Sequence, residues 1–170
     1  MITVFDIETS YQIIGKKKDP SFNDPNNFIV SIGLNDEYFF FNHSEYKGEP
    51  DIKSVQDILD KTTLLVGHNI KFDLAWLLAT GFTYSGKIYD TMIGEYVLNR
   101  GVKKSLKLKH CCERRNVHRK SDLTESYIER DISFENIPMK IVDEYGRQDV
   151  LATRALFNSQ MEDFKKPSNK

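Results

Sequence analysis

Three apolar segments of this chain carry carboxylates, and this feature restricts more than any other how the chain can fold. Asp6 and Glu8 lie in the run VFDIETS. Asp73 lies in GHNIKFDLAWL, and Asp149 lies in DEYGRQDVLATRAL. A carboxylate in apolar surroundings is costly unless it is paired, hydrogen-bonded or bound to a metal ion. We therefore expect the fold to bring these four acids together around cations.

The spacing within two of the segments places acidic side chains on shared faces. Residues i and i+2 of a strand point to the same side, so Asp6 and Glu8 project together. Residues four apart on a helix share a face, so Tyr145 and Asp149 project together. Neighbouring carboxylates repel unless a cation lies between them, and hard ions such as Mg²⁺ or Mn²⁺ prefer oxygen ligands. The pattern predicts two-metal hydrolysis of a phosphodiester, with a phenol that orients the attacking water.

Size and composition predict one ordinary globular domain. We expect residues 1–164 to form this domain and residues 165–170, KKPSNK, to be a polar tail. The net charge of −1 neither indicates nor excludes a nucleic-acid partner, because a local basic patch can bind phosphates. There is no apolar run of about 18 residues and no signal-type N-terminus. We expect no membrane association and a cytoplasmic protein whose two cysteines are reduced.

Apolar periodicity predicts an α/β fold. Strands are expected at ITVFDI, FIVSIGLN and EYFFFN, which form an antiparallel meander, and then at LLVGHN and KIYD. Helices are expected between and after the later strands, ending with a long helix that Pro138 opens. The predicted architecture is a mixed five-stranded sheet flanked by helices.

Four local features are also predicted from residue type. Residues 15–27, rich in Pro, Asn and Asp, are expected to form a long irregular loop. Asn69 is expected to cap the helix IKFDLAWLLAT, which Gly81 closes. Asp90 is expected to cap the next helix rather than to act in catalysis. A further helix is expected over 105–116, SLKLKHCCERRN.

A basic stretch between residues 100 and 120 has two interpretations that stay open. It either grips the backbone of a single strand through phosphate contacts or forms a solvated helix face. Zinc is not expected nearby, because the Cys and His residues from 110 to 118 include no Cys-x-x-Cys pair. The basic residues are Arg100, Lys103, Lys104, Lys107, Lys109, Arg114, Arg115, Arg119 and Lys120.

The order of the motifs resembles a known family of nucleases. FDIET, then HNIKFD, then a tyrosine four residues before an aspartate on a late helix resemble the three exonuclease motifs of the DnaQ-like superfamily. The tyrosine is the mark of its DEDDy branch. Over residues 2–160 the pattern is similar to the 3′–5′ proofreading exonuclease domain of family A DNA polymerases. This resemblance implies an RNase H-like fold.

The resemblance also implies roles for particular residues. Asp6, Glu8, Asp73 and Asp149 match the ligands of two divalent cations, Mg²⁺ or Mn²⁺, and Tyr145 matches the residue that orients water. Thr9 matches a position whose backbone lies near the terminal nucleotide. Asn69 matches a position near the penultimate nucleotide. Where relatives often have a wedging leucine this chain has Gln12, so Ile13 is the expected wedge.

The implied activity is stepwise release of nucleoside monophosphates from the 3′ end of single-stranded DNA, in proofreading or DNA end processing. The expected partner besides DNA is a DNA polymerase domain or subunit, although a stand-alone relative fits the pattern equally well. Two alternatives stay open. One is an exoribonuclease similar to RNase D, because no residue indicates the choice of sugar. The other is a catalytically silent module that only binds nucleic acid. Modules of that kind usually lack one or more of the carboxylates.

Overall fold

The computed structural model describes residues 1–118 and 122–167, which form seven strands and six α-helices. A short 3₁₀ turn, Phe134–Asn136, precedes the last helix. None of these helices combines the length and the apolar character needed to cross a membrane. The strands are β1 (Ile2–Thr9), β2 (Gln12–Ile14), β3 (Lys17–Asp19), β4 (Ile29–Leu34), β5 (Glu37–Phe40), β6 (Leu64–Gly67) and β7 (Lys87–Asp90). The helices are α1 (Ile52–Lys61), α2 (Ile70–Ala79), α3 (Thr91–Leu98), α4 (Leu108–Arg115), α5 (Glu125–Ile128) and α6 (Met139–Lys165).

The main sheet has five strands in the order β5-β4-β1-β6-β7. β1, β4 and β5 pair antiparallel, whereas β6 runs parallel to both β1 and β7. This confirms the predicted mixed sheet with an antiparallel start and the α/β class. β1 lies at the centre of the sheet, and helices pack against both of its faces.

The prediction of an irregular loop over residues 15–27 is wrong at its beginning. β2 and β3 pair antiparallel as a separate two-stranded hairpin. Its turn contains Gly15, whose φ of 66° lies in the left-handed region that glycine adopts without strain. The β-branched Ile13 and Ile14 favour the extended backbone on one side of this turn. The strand on the other side of the turn, Lys17–Asp19, is rich in lysine. Its composition does not indicate a strand, which forms because this segment pairs with β2.

Alternate residues of β1 pack against different helices. Phe5 and Ile7 belong to a buried cluster that also contains side chains of α1 and α2. Val4, on the opposite face, belongs to a second cluster with Val150 and Phe157 of α6. Side chains of a strand alternate between faces, so Asp6 and Glu8 share the face of Val4. The hydrophobic pattern of β1 thus directs both acids towards α6.

A third apolar cluster holds α4 against α6. Cys111 and Cys112 are fully buried there with Ala152 and Leu156 of α6, and neither forms a disulfide. The Cys112 Sγ lies 3.7 Å from the carbonyl oxygen of Ala152. These two cysteines act as small apolar residues in a helix contact.

The ends of three helices are as predicted from sequence. Gly81, just beyond α2, has a φ of 94°. The Asp90 carboxylate accepts a hydrogen bond of 2.8 Å from the Met92 amide and so caps α3. Pro138 occupies the N-cap of α6, the 27-residue final helix.

α4 begins at Leu108, three residues later than predicted. Two carbonyl groups before it are taken by distant side chains. The Ser105 carbonyl accepts a hydrogen bond of 2.7 Å from Arg114. The Leu106 carbonyl accepts one of 2.8 Å from His68 Nε2. Periodicity alone could not reveal these contacts, which hold residues 105 and 106 outside the helix.

Gly146 allows α6 to approach the sheet. A Cβ atom at this position would lie 2.1 Å from the Tyr38 phenolic oxygen and 2.5 Å from its ring. The same phenol donates a hydrogen bond of 3.2 Å to the Val142 carbonyl of α6 and lies 2.8 Å from Ser31 Oγ. The contact therefore sets the distance between β5 and the part of α6 that carries Tyr145 and Asp149.

We expect Gly146→Ala to destabilise the protein by about 1–3 kcal/mol, the usual cost of overpacking. Helix propensity alone predicts the opposite sign, a gain of about 1 kcal/mol. Urea denaturation of the two proteins measures the difference. Glu144→Ala, at an exposed position of the same helix, is the control and should change stability little. A Gly146→Ala protein as stable as the wild type or more so would contradict the packing argument.

Candidate active site

Asp6, Glu8 and Asp149 meet between the centre of the sheet and α6. One carboxylate oxygen from each lies within 4.8 Å of those of the other two. Glu8 and Asp149 are buried and Asp6 is half-buried. The period of two in β1 thus places its two acids as expected, and α6 supplies the third from the opposite side.

Three carboxylates at this separation repel one another, and partial burial strengthens the repulsion. All three offer only carboxylate oxygens, the donors that a hard divalent ion such as Mg²⁺ or Mn²⁺ prefers. The donor set therefore fits the cations implied by the sequence. No other group of His, Cys, Asp or Glu within residues 1–118 and 122–167 has this arrangement.

Asp73 lies beside this cluster without being part of it. It sits in the first turn of α2, and 5% of its surface is exposed. Burial first, and then the charge of Asp6, raise the pKa of Asp73 well above its usual range. A hydrogen bond from the backbone amide of Ile7 acts in the opposite direction. The paired register of β1 and β6 runs only to Val4, so the Ile7 amide is available to Asp73.

Tyr145 lies one helical turn before Asp149. Its side chain is 9% exposed, and its ring packs against Phe134 of the 3₁₀ turn at a centroid distance of 5.8 Å. Tyr145, Asp6 and Asp149 line a common cavity of about 510 Å³. The i, i+4 spacing of the sequence therefore brings phenol and carboxylate into one cleft, as predicted.

The cavity has a second wall besides the one that carries the carboxylates. It is formed by the beginning of α4 and by α5, and its polar side chains are Lys107, Lys109, His110, Thr124 and Glu125. A larger cavity of about 770 Å³ lies at the other end of the sheet, where β6 and β7 begin. Among residues 1–118 and 122–167, Asp60 is the one carboxylate that lines it, and none of the predicted site residues does. The smaller cavity is the candidate active site on chemical grounds.

Asn69 lines the active-site cavity and stands at the N-cap of α2, as predicted, although its side chain does not make the bond. It occupies the N-cap position with a φ of 60°, and its side chain makes no capping hydrogen bond. Its backbone amide instead donates a hydrogen bond of 3.0 Å to the Asp90 carboxylate. Asparagine tolerates this left-handed conformation better than most residues. The amide side chain thereby stays available at the cavity.

Thr9 and Ile13 do not line the cavity. Thr9 is buried at the end of β1, where the register with β4 shifts after Glu8. Ile13 is 52% exposed on the separate hairpin. Both follow the acidic pair closely in sequence, and their predicted contacts with substrate remain predictions.

His68 is a residue of this site that sequence reasoning missed. It follows β6 and lines the cavity. Its Nδ1 lies 2.9 Å from Thr91 Oγ1, and its Nε2 donates to the Leu106 carbonyl. The ring thus ties the end of the sheet to the start of the second wall. The only signal was its place at the carboxyl end of a parallel strand, where sites tend to form.

The basic stretch divides into different environments. Arg115 contacts Glu95 at 2.6 Å and Asp163 at 2.7 Å, and Arg114 contacts Glu95 at 3.3 Å. Burial raises the pKa of Glu95, but hydrogen bonds from Arg115 and Gln160 outweigh it and hold that pKa below its usual value. These two arginines tie α4 to α3 and α6. Arg119 and Lys120 lie outside the described residues.

Comparison with known proteins agrees with the fold. A family model described as 3′–5′ exonuclease matches residues 20–163, a range that contains Asp73, Tyr145 and Asp149 and begins after Asp6 and Glu8. DNA polymerase I of Borreliella burgdorferi is 29% identical over 107 residues. That match covers 63% of this chain and 12% of the polymerase, so the chain spans a small part of its curated relative.

Solved nucleases share the whole architecture. The apo form of a nuclease has a TM-score of 0.67 at 18% identity, covering 99% of this chain and 75% of the other. Brucella melitensis NrnC bound to pGG has a TM-score of 0.63 at 18% identity, covering 99% of this chain and 75% of NrnC. NrnC with bound Mg²⁺ has a TM-score of 0.63 at 17% identity, covering 99% of this chain and 76% of NrnC. At this identity the likeness shows the fold, an RNase H-like nuclease fold. Since the family model matches most of its length, the chain belongs to the 3′–5′ exonuclease family.

Proposed function

We propose that this protein is a metal-dependent exonuclease of the DEDDy type that removes nucleoside monophosphates from the 3′ end of single-stranded DNA. The observation that supports this most is the approach of the Asp6, Glu8 and Asp149 carboxylates to within 4.8 Å. Asp6 and Asp149 of this group line a cavity that Tyr145 also lines. Membership of the family supplies the type of bond and the direction of degradation.

Asp6, Glu8, Asp73 and Asp149 are the proposed ligands of two divalent cations, Mg²⁺ or Mn²⁺. Bound there, such ions lower the pKa of a water molecule and neutralise charge that develops on the leaving oxygen. The Mg²⁺ present in the structure of the relative NrnC supports this choice of ion. Asp73, held by the Ile7 amide, stands beside Asp6. With Asp73 in this position, the four acids can bind more than one ion.

The protein's own groups position the reactants. In the proposed reaction, a water oxygen attacks the phosphorus of the terminal linkage, and the bond from phosphorus to the 3′ oxygen breaks. The products are a nucleoside 5′-monophosphate and a strand shortened by one residue with a 3′-hydroxyl. Tyr145, supported by Phe134, orients the water through its phenol. Asn69 at the cavity contacts the penultimate nucleotide, the Thr9 backbone contacts the terminal nucleotide, and Ile13 separates terminal bases.

The choice of DNA rests on the similarity to a DNA polymerase I. The same similarity supports association with a polymerase domain or subunit and a role in proofreading or DNA end processing. Both are proposals, because the match spans 12% of that relative. The pGG bound by NrnC supports an oligonucleotide as the general class of substrate.

The metal site can be tested without any substrate. Mn²⁺ at a hundredfold excess over its dissociation constant should stabilise the wild type by about 2.7 kcal/mol. Asp149→Asn should lose most of this gain, yet without metal it should be at least as stable as the wild type because one repelling charge is gone. Thermal denaturation with EDTA or Mn²⁺ measures both effects. Glu144→Gln on the same helix should respond like the wild type. An undiminished Mn²⁺ response in Asp149→Asn would contradict the assignment.

The reaction can be tested on 5′-labelled DNA and RNA oligonucleotides with free or blocked 3′ ends. In Mg²⁺ or Mn²⁺ the wild type should shorten the free DNA strand from its 3′ end. Asp6→Ala should abolish the reaction, because a metal ligand is lost. Tyr145→Phe should slow it by about 10²-fold, at the low end for a group that positions a proton transfer. Gel electrophoresis resolves the products.

Three outcomes would count against parts of this proposal. If the wild type leaves the DNA strand intact with Mg²⁺ and with Mn²⁺, the proposed enzymatic function is contradicted and a silent binding module is favoured. Shortening of RNA without shortening of DNA would favour the exoribonuclease alternative. Equal damage from Asp6→Ala and Tyr145→Phe would contradict the positioning role of the phenol. Glu144→Gln serves as the active control.

A further inference from the structure

We propose that Asp90 is a positioning residue of the active site, because it holds Asn69 in the backbone conformation that keeps its amide side chain in the cavity. This inference rests on the proposed exonuclease function, in which Asn69 contacts the penultimate nucleotide. Asp90 caps α3, but the cap accounts for only one of the two hydrogen bonds that its carboxylate accepts. The other bond leads to the active site.

The Asp90 carboxylate joins the ends of two strands through a single oxygen atom. Its Oδ1 accepts a hydrogen bond of 2.8 Å from the Met92 amide in the first turn of α3. The same oxygen accepts one of 3.0 Å from the Asn69 amide. Asp90 ends β7, and β6, which pairs with it in parallel, ends at Gly67. The second bond therefore restrains the segment that leads from β6 into α2.

Thr91, the first residue of α3, adds two contacts between the same strand ends. Its hydroxyl donates a hydrogen bond of 3.2 Å to the Gly67 carbonyl, and His68 Nδ1 lies 2.9 Å from the same hydroxyl oxygen. Thr91 is completely buried. Residues 67, 68 and 69 are thus each tied to the end of β7 or the start of α3, and Asp90 makes the contact to Asn69.

The backbone of Asn69 has an unusual conformation for its position. The residue before the first turn of a helix is normally extended, and an asparagine there accepts a hydrogen bond from an early helix amide through its side chain. Asn69 instead has a φ of 60° and a ψ of 39°, and its side chain makes no such bond. A left-handed residue other than glycine costs free energy and persists only where its surroundings fix it. The bond to Asp90 is such a restraint.

Without this restraint we expect Asn69 to return to the extended conformation of an ordinary cap. Its side chain then turns towards the amides of Lys71 or Phe72, in the first turn of α2, and away from the cavity that it now lines. Asp90 itself does not line that cavity. It therefore acts on a substrate through Asn69, and its role is positioning rather than catalysis.

The experiment measures how strongly the protein prefers a strand with an intact penultimate nucleotide. Two 5′-fluorescent DNA hexanucleotides carry at that position either thymidine or a propanediol that lacks sugar and base. Both keep an alkoxide leaving group and the same number of phosphates. Product formation in Mg²⁺ gives kcat/KM for each strand. The wild type should prefer the natural strand by about tenfold, the effect of about one hydrogen bond.

Binding is measured separately from the reaction. A second pair of strands has a methylene group in place of the bridging 3′ oxygen of the last linkage, which keeps the charge and prevents cleavage. Fluorescence anisotropy in Mg²⁺ gives the affinity of the full chain for each strand. The preference of the wild type for thymidine over propanediol should again be about tenfold.

Variants of Asp90 separate its hydrogen bonds from its charge. The charge contributes, after burial and the charge of Asp6, to the raised pKa of Asp73. Asp90→Asn removes the charge but keeps Oδ1, which can accept both hydrogen bonds, so it should keep the preference. Asp90→Ala removes both bonds and should lose most of the preference. Asp90→Ser should lose it too, because its shorter side chain can cap α3 without reaching the Asn69 amide.

Two further variants test the route through Asn69 and control for the lost cap. Asn69→Gly adopts the left-handed backbone readily but has no side chain, so it should lose the preference as Asp90→Ala does. Combining the two changes should cost no further preference, because both remove the same contact. Asp51 caps α1 through the Ser54 amide at 3.0 Å and does not line the cavity. Asp51→Ala should therefore lose stability but keep the preference.

Several results would overturn the positioning role. One is a wild-type preference in Asp90→Ala or, if that variant does not fold, in Asp90→Ser. Another is an equal loss of affinity for both strands in these variants. Loss of the preference in Asp90→Asn would assign the effect to charge and would also overturn the role. So would a wild type that does not distinguish the two strands.

The binding data separate this inference from the proposed function. If the wild type binds with the expected preference and Asp90→Ala loses it, but neither cleavable strand is shortened, the reaction is overturned and the positioning role is supported. If the wild type shortens both strands at the same rate, the reaction is supported and the positioning role is overturned. Absence of any binding by the wild type would overturn both.

Discussion

The repulsion among Asp6, Glu8 and Asp149 is the constraint on which the rest of this structure depends. Three carboxylate oxygens within 4.8 Å of one another separate unless the surrounding elements hold them. β1 does so from the centre of the sheet, because its apolar side chains are buried on both faces. α6 does so through Val150 and Phe157, and Gly146 lets it come close enough to the sheet. The hydrophobic core thus supplies the free energy that keeps like charges together until cations neutralise them.

The second wall of the cleft depends on polar contacts rather than on the core. His68 holds the Leu106 carbonyl and Arg114 holds the Ser105 carbonyl, so α4 begins late, at a residue that lines the cavity. Arg115 and Glu95 fix the other end of the helix. One side of the cavity therefore carries acids that repel one another, and the start of α4 adds the side chains of Lys107 and Lys109.

The parts of this site that could be predicted from sequence follow from periodicity. Asp6 and Glu8 share a face because a strand has a period of two, and Tyr145 and Asp149 share one because they lie four apart on a helix. The antiparallel pairing of β1, β4 and β5 and the mixed character of the sheet follow from the apolar runs and their sequence of strands and helices, whereas the position of β6 beside β1 does not. The hairpin of β2 and β3, the late start of α4 and the backbone of Asn69 could not be predicted in this way. The start of α4 and the backbone of Asn69 depend on hydrogen bonds between residues far apart in sequence, such as that from Asn69 to Asp90. The hairpin is local and pairs residues such as Ile14 and Lys17, but its lysine-rich second strand has no apolar pattern that would indicate it.

The most direct test of the central claim is to locate the cations. Crystals grown with Mn²⁺ and measured near its absorption edge yield an anomalous difference map that shows the ion positions. The account predicts strong peaks bounded by the carboxylates of Asp6, Glu8 and Asp149, with Asp73 at one side. Crystals of Asp149→Asn should lose or weaken them. Peaks elsewhere on the protein, with none at these carboxylates in a crystal saturated with Mn²⁺, would contradict the account.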